Sequence, residues 1–163
     1  MPPKPSTSEQ QNRPPAKKNV AKGKTHGYEF DPPPPNAGEG IFTHRATLAK
    51  YEGQWQRFGG KMKRHGTGIY TDGGATYDGE FVEDQYQGYG VYTAIDGSVY
   101  KGEWKSGKMH GHGIYTWPDG SFFEGEWENG KMEGPGTYTD KDKNVWKGTW
   151  HEGEAELKNL PIS

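Results

Sequence analysis

An all-β fold is what this 163-residue sequence predicts: a single-layer antiparallel meander of tandem hairpins, preceded by a disordered N-terminal tail. Three observations predict it. An aromatic-x-Gly-x-aromatic phrase recurs at a nearly fixed period, a Gly-x-Gly phrase recurs between its copies, and turn signals separate the two. The first phrase stands at Tyr51–Trp55, Tyr77–Phe81, Tyr100–Trp104, Phe123–Trp127 and Trp146–Trp150, with starts 26, 23, 23 and 23 residues apart. A period of that size marks an array of like supersecondary units. Such arrays most often build binding surfaces and spacers.

The first 37 residues are rich in Pro, Lys, Ser, Gln and Asn and end in the run Pro32-Pro33-Pro34-Pro35. Such a stretch buries too little apolar surface to offset its ordering entropy. We read residues 1–37 as a disordered Pro/Lys-rich tail, with the tetraproline a short polyproline II spacer. Residues 1–24 hold six basic side chains and one acidic one, a net +5, whereas the remainder carries −7. Lys17, Lys18, Lys22 and Lys24 are the candidate contacts to an anionic partner.

The array is read over residues 38–153, as a half repeat, four full repeats and a closing half repeat, with 154–163 a C-terminal extension. Gly38-Glu39-Gly40-Ile41-Phe42 opens it. Four further copies of that phrase begin at Gly66, Gly88, Gly111 and Gly134. Ser106-Gly107 and Asn129-Gly130 join the two phrases of a unit, and Asn-Gly between alternating segments is a strong hairpin signal. Asp72-Gly73-Gly74, Asp96-Gly97-Ser98 and Asp119-Gly120-Ser121 turn the chain between units. Two irregularities are expected to matter. Residues 57–64 read as a longer basic loop, and Glu83-Asp84-Gln85, lacking glycine, as a turn of another type.

Side chains alternate faces with period two, so Tyr100, Gly102 and Trp104 share a face, and Gly111, Gly113 and Tyr115 share one too. The simplest register sets glycines opposite aromatics, with each ring removing about 150–250 Å² from water. Tyr51, Trp55, Tyr77, Phe81, Tyr100, Trp104, Phe123, Trp127, Trp146 and Trp150 are therefore candidates for a partner-binding aromatic face. Sheet curvature, a partner or a second copy could cover that face. The opposite face is mostly polar.

Composition narrows the chemistry. Only 29% of residues are hydrophobic, against 26 glycines and 13% aromatics, and there is no cysteine for a disulfide or thiolate metal site. No apolar run resembles a signal or a membrane span, and Pro2 excludes N-myristoylation. We expect a cytoplasmic chain without an anchor of its own. His110 and His112 could hold a metal at i and i+2, but equivalent slots elsewhere carry Gln87 and Glu133, so no metal site is expected. Glu80, Glu103 and Glu126 recur in phase and read as a solvated acidic stripe, not as a catalytic pair. Each Gly-x-Gly leads into a strand where a phosphate loop would lead into a helix. No cofactor, catalytic residue or nucleic-acid partner is expected.

The unit Tyr100-Lys-Gly-Glu-Trp-Lys-Ser-Gly-Lys-Met-His-Gly-His-Gly-Ile-Tyr-Thr-Trp-Pro-Asp-Gly120 closely resembles the MORN (membrane occupation and recognition nexus) repeat. The resemblance covers about residues 38–153, and the last copy, Glu133–Asp140 followed by Trp146–Trp150 and Ala155–Lys158, is similar to small members of that family. It implies a ribbon of β-hairpins serving as a non-catalytic scaffold, in a cytoskeletal setting such as the axoneme of a cilium or flagellum, with its radial spokes. The expected partners are other proteins of that complex, gripped by the aromatic face or added to the free strand edges. Self-association, and acidic tubulin tails or anionic lipid met by the N-terminal arm, are the further partners expected. The competing expectation is a peripheral membrane adaptor that binds anionic phospholipid through the tail and the array.

Overall fold

The computed structural model describes residues 36–156, which form one open sheet of eleven antiparallel strands in strict chain order. The strands are β1 (Ala37–Thr43), β2 (Lys50–Phe58), β3 (Lys61–Asp72), β4 (Ala75–Val82), β5 (Gln85–Thr93) and β6 (Val99–Lys105). They continue with β7 (Lys108–Thr116), β8 (Phe122–Glu128), β9 (Lys131–Thr139), β10 (Val145–His151) and β11 (Glu154–Glu156). There is no helix among the described residues. The strands begin one residue before the expected array and run three beyond it. The expected Pro/Lys-rich tail lies almost entirely outside the described residues.

The register differs in one instructive way from the expected one. Glycine faces glycine across the middle of the sheet, in the pairs Gly40–Gly53, Gly53–Gly68 and onward to Gly136–Gly148. The ten central glycines of β1 to β10 therefore stand in a single column crossing the sheet. Aromatics meet aromatics on one side of it, as in Tyr92–Tyr100 and Tyr115–Phe123. Only the first glycine of each Gly-x-Gly faces a bulky ring, as in Gly88–Trp104 and Gly111–Trp127.

The column exists because the rings lie flat on it. A Cβ added at Gly113 would stand 2.4 Å from the Tyr100 hydroxyl and 2.6 Å from its ring. Tyr77 covers Gly79 and Gly90 in the same manner, and Phe123 covers Gly125 and Gly136. Laid down this way, rings from strands two apart meet over the intervening Gly-x-Gly strand. Tyr77 and Trp104 are 5.3 Å apart, Tyr100 and Trp127 5.3 Å, and Phe123 and Trp150 4.8 Å, all edge to face. Edge-to-face contacts suit the ring quadrupole and add about 0.5–1.5 kcal/mol each beyond area burial. The Trp104 and Trp127 indole N–H groups also donate to the Gly90 and Gly113 carbonyls at 3.2 Å.

The β2–β3, β4–β5, β6–β7 and β8–β9 hairpins each carry a bulge just past the column. Gly102 pairs with Gly113 but Glu103 pairs with His110, so Gly111 and His112 are skipped by β6. Gly111 sits at φ +56, a left-handed conformation suited to glycine. The bulge frees an N–H, and the phrase supplies its acceptor. His112 N–H donates to Glu103 Oε1, Tyr89 N–H to Glu80 Oε1 and Thr67 N–H to Gln54 Oε1, at 3.3, 3.0 and 3.0 Å. Pro135 fills the same place in β9 and has no N–H to offer, so no such bond reaches Glu126. The acids expected to be a merely solvated stripe are thus structural in two units.

Both expected irregularities resolve differently from the reading of the sequence. Residues 57–64 do not form a longer loop; they lengthen β2 and β3 up to a tight Gly59-Gly60 turn. Glu83 and Asp84 have φ +47 and +74, matching Ser106 and Gly107 at +50 and +79, so this turn is also of the hairpin type I′ class. Two non-glycine residues in that conformation are held by outside contacts. The Asp84 carboxylate accepts from the Arg64 backbone N–H at 2.9 Å and from Nε at 3.2 Å, while Asp84 N–H donates to the Arg64 carbonyl at 3.0 Å.

That last bond recurs along the chain. Gly107, Gly130 and Gly153 donate to the carbonyls of Tyr86, Met109 and Met132 at 2.9, 2.9 and 3.0 Å, so each hairpin tip is stitched to the hairpin before it. At the last tip Glu133 accepts from Glu152 N–H and from His151 Nδ1, both at 3.0 Å. The Glu152 N–H, then His151, hold the Glu133 carboxyl below its usual range, and Glu133 raises His151 above its ordinary 6.5.

Two predictions follow from this geometry. Gly113→Ala should destabilise the sheet by about 1–3 kcal/mol through forced overpacking, read as a lower melting temperature by circular dichroism. The His151 contribution is fully present below its unfolded pKa and is lost as pH rises through the raised folded value. Wild type should therefore lose stability from pH 6 to pH 8 relative to Glu133→Gln, whose denaturation midpoint should respond less over that window.

Candidate interaction surface

The ten rings expected to receive a partner do not lie open to one. Tyr51, Tyr77, Phe81, Tyr100, Trp104, Phe123, Trp127 and Trp150 are buried together as the core of the sheet, with Tyr77 and Phe123 at 0% exposure. Only Trp55 and Trp146 are half-buried. The expectation of an open aromatic trough is corrected accordingly. Rings lying flat over the glycine column cover one another, and side chains from the Gly-x-Gly strands close over them. Tyr86 stacks on Tyr77 at 3.7 Å and 8° between planes. Tyr70, Tyr92, Met109, Tyr115, Met132 and Tyr138 are the other partly buried groups of this second tier, with Trp117 from the β7–β8 connection.

This second tier is what the sheet presents on its aromatic side. The Tyr closing each Gly-x-Gly-x-Tyr phrase was visible in the sequence; the residue two before the first glycine was not singled out. That slot holds Arg64, Tyr86, Met109 and Met132, four different side chains, so no motif announces it. Register brings it onto the aromatic face opposite Trp55, Phe81, Trp104 and Trp127.

Two apolar grooves on this side, among the described residues, are walled by the rings of both tiers. The first, about 560 Å³, is lined by Phe42, Ala49, Tyr51, Trp55, Met62 and Tyr70, with the polar groups of His44, Arg64, Asp72 and Asp84. The second, about 490 Å³, runs between Tyr86, Tyr92, Trp104, Met109 and Tyr115, with Lys108 beside them. Mostly apolar walls with a few polar groups are the usual make-up of a recognition cleft.

Arg64 gives the first groove its character. Its guanidinium carbon lies 4.5 Å from the Tyr70 ring centroid and 5.1 Å from that of Phe81. Its side chain donates to the Asp84 carboxylate and, at 2.8 Å from Nη2, to the Asp84 carbonyl. The charge is matched and half-covered. Lys63 pairs with Glu83 at 2.8 Å. The basic segment of the first hairpin is thereby partly neutralised by the turn of the second.

Burial pushes the Tyr77 and Tyr100 phenols well above their ordinary range, and their hydroxyls donate to the Glu80 and Glu103 carbonyls at 3.0 Å. Glu80 and Glu103 are themselves occupied by backbone N–H groups. His110 and His112 share no cluster of three or more metal-ligating side chains among the described residues. His112 instead lies 3.4 and 3.7 Å from Glu126 and Glu124. Lys17, Lys18, Lys22 and Lys24 lie outside the described residues.

Comparison with known families matches the MORN repeat to residues 77–99, 100–122 and 123–145, three consecutive copies with no residue between them. The matched segment runs from within β4 to the start of β10 and contains the second groove whole, with Tyr86, Tyr92, Trp104, Met109 and Tyr115 among its residues.

The caps make a sharp prediction. Glu103→Ala should cost about 0.5–1.5 kcal/mol, the value of a typical hydrogen bond, whereas Glu103→Gln should cost little because glutamine already serves at position 54. Glu126→Ala should be nearly neutral, since Pro135 offers it no donor. Urea denaturation midpoints of the three variants check this.

Proposed function

We propose that this chain, which carries three consecutive MORN repeats, is a non-catalytic scaffold that mediates protein–protein interaction in a cytoskeletal assembly, the axoneme of a cilium or flagellum. MORN repeats generally serve protein–protein or membrane interactions. The single observation that carries the reading is the pair of apolar grooves on the aromatic side, walled by the half-buried second tier over a closed core. Rings locked in the core give rigid walls, and rigid walls lower the entropy cost of capture. Glu80 and Glu103, engaged as backbone acceptors, are poorly placed for acid–base chemistry, which supports a role in binding. The closer kinship is with the small MORN repeat-containing protein 2 group, on the strength of the last repeat and the ending Ala155–Lys158.

Binding by anionic lipid is the weaker reading. Two cations of the first hairpin, Lys63 and Arg64, already have carboxylate partners within 3.2 Å. Co-sedimentation with phosphatidylserine vesicles, with and without residues 1–24, separates the readings. Loss of lipid binding with the arm, and no protein partner in its place, would favour the membrane.

Proximity labelling in ciliated cells, followed by detergent and then salt extraction, tests the assembly. The protein should stay with the detergent-resistant fraction and label axonemal proteins. Trp104→Ala and Trp127→Ala should weaken both the array and partner capture, because truncating a buried Trp costs about 3–5 kcal/mol. Met109→Lys, at a groove wall, should reduce partner recovery while changing the melting temperature little. Deletion of residues 1–24 should leave the melting temperature unchanged and lower the salt concentration at which the protein elutes, because exposed charges are screened within about 8–10 Å.

A further inference from the structure

We propose that β1 is a self-complementary edge, through which two copies of this chain join about a two-fold axis at Gly40 into one continuous sheet. The inference does not depend on what occupies the grooves. It starts from the hydrogen bonds of β1. Hydrogen-bonded and non-bonded pairs alternate along antiparallel strands. Arg57 N–H donates to the Asn36 carbonyl and His44 N–H to the Ala49 carbonyl. With an unbroken register between them, the even-numbered residues of β1 are the ones bonded to β2. Glu39 and Ile41 therefore aim their N–H and C=O groups away from the sheet.

The two edges of the sheet are not alike. β11 has three residues, Glu154, Ala155 and Glu156, so it is short and acidic. Short and charged edges are the usual protection against further pairing. β1 has seven residues, no lysine, no proline and no bulge, and Ile41 is 62% exposed. Among the described residues it is an unprotected edge, on a sheet whose other edge is short and acidic.

The partner follows from the pairing rule seen throughout the array. Every neighbouring pair among the first ten strands sets glycine against glycine, and each first glycine of a Gly-x-Gly faces an aromatic. An antiparallel pair of β1 strands centred on Gly40 meets both conditions. Gly40 faces Gly40, Gly38 faces Phe42 of the other copy, and Glu39 faces Ile41. The odd-numbered residues, with their free N–H and C=O groups, then form the hydrogen-bonded pairs. Phe42 lies beside Gly40, where an added Cβ would meet its ring at 3.1 Å, and stacks on Tyr51 at 6.3 Å. Pairing carries the glycine column across the axis and brings the two Phe42 rings to the same face. Glu39 falls beside an isoleucine, not beside the second Glu39. The symmetry closes, so the product is a dimer and not a filament.

Sedimentation velocity of the full chain over the micromolar range reads the assembly. The expected result is a monomer–dimer equilibrium. Ile41→Pro removes an outward N–H from each copy without touching the bonds to β2. It should raise the dimer dissociation constant by about tenfold or more, with an unchanged melting temperature at concentrations where both chains are monomeric. The register is read separately, since the natural chain has no cysteine. Mixing Glu39→Cys with Ile41→Cys chains and adding a short bismaleimide should give more crossed product than either chain alone. A monomer at every concentration, a ladder of higher oligomers, a dimer indifferent to Ile41→Pro, or no excess of crossed product would each overturn the inference. None of these outcomes bears on the effect of Met109→Lys on partner capture, so the two readings fail separately.

Discussion

The structure depends on a steric vacancy filled by rings. Ten glycines in one column leave the middle of the sheet without side chains on the aromatic face, and Tyr51, Tyr77, Tyr100 and Phe123 lie down in the space. A single layer normally has no interior. Here the interior lies between ring and backbone, with the rings of alternate strands meeting edge to face above it. This is how a sequence with few aliphatic residues buries eight large aromatic side chains. A Cβ at Gly68, Gly90, Gly113 or Gly136 would lift the ring that lies on it and separate that ring from its neighbours.

Polar groups are organised around that packing. Laying Tyr100 over Gly102 and Gly113 carries its hydroxyl to the bulge, where it donates to the Glu103 carbonyl. The bulge frees an N–H that the Glu103 side chain accepts. The hairpin tip beyond it is bonded to the preceding hairpin. Ring, bulge, cap and tip form one connected unit, repeated with small changes. Phe123 lacks the hydroxyl and Pro135 lacks the N–H, and both fall in the β8–β9 hairpin, where two members of the set are absent together. That hairpin keeps its register and its bulge, so packing of rings on glycine outweighs the polar bonds around it.

The same economy shapes the surface. Once the first tier of rings is closed, the second tier has no fixed requirement, and its slot holds Arg64, Tyr86, Met109 and Met132. Variation there changes the groove without disturbing the column. In the first hairpin the slot holds a cation, and the turn of the second hairpin supplies Asp84 to meet it. The interior is constant from unit to unit and the wall above it varies.

Strand order, the hairpin turns and the division into faces could be read directly from the sequence, because period, parity and turn chemistry are local. Ser106-Gly107 and Asn129-Gly130 announce their turns, and Tyr100, Gly102 and Trp104 must share a face whatever lies beside them. The pairing partner of each glycine could not be read, because a two-residue bulge in the hairpin shifts the register by an amount that parity does not reveal. Burial of the rings followed from that register, and so did the role of Glu80 and Glu103 as acceptors for bulge N–H groups. Glu83-Asp84 looked like a different turn because its left-handed conformation is stabilised by Arg64, twenty residues away. What the sequence determined alone is the ribbon and its two faces. What only the tertiary structure decided is which groups are spent inside it and which remain at the surface, because that depends on contacts between strands and not along them.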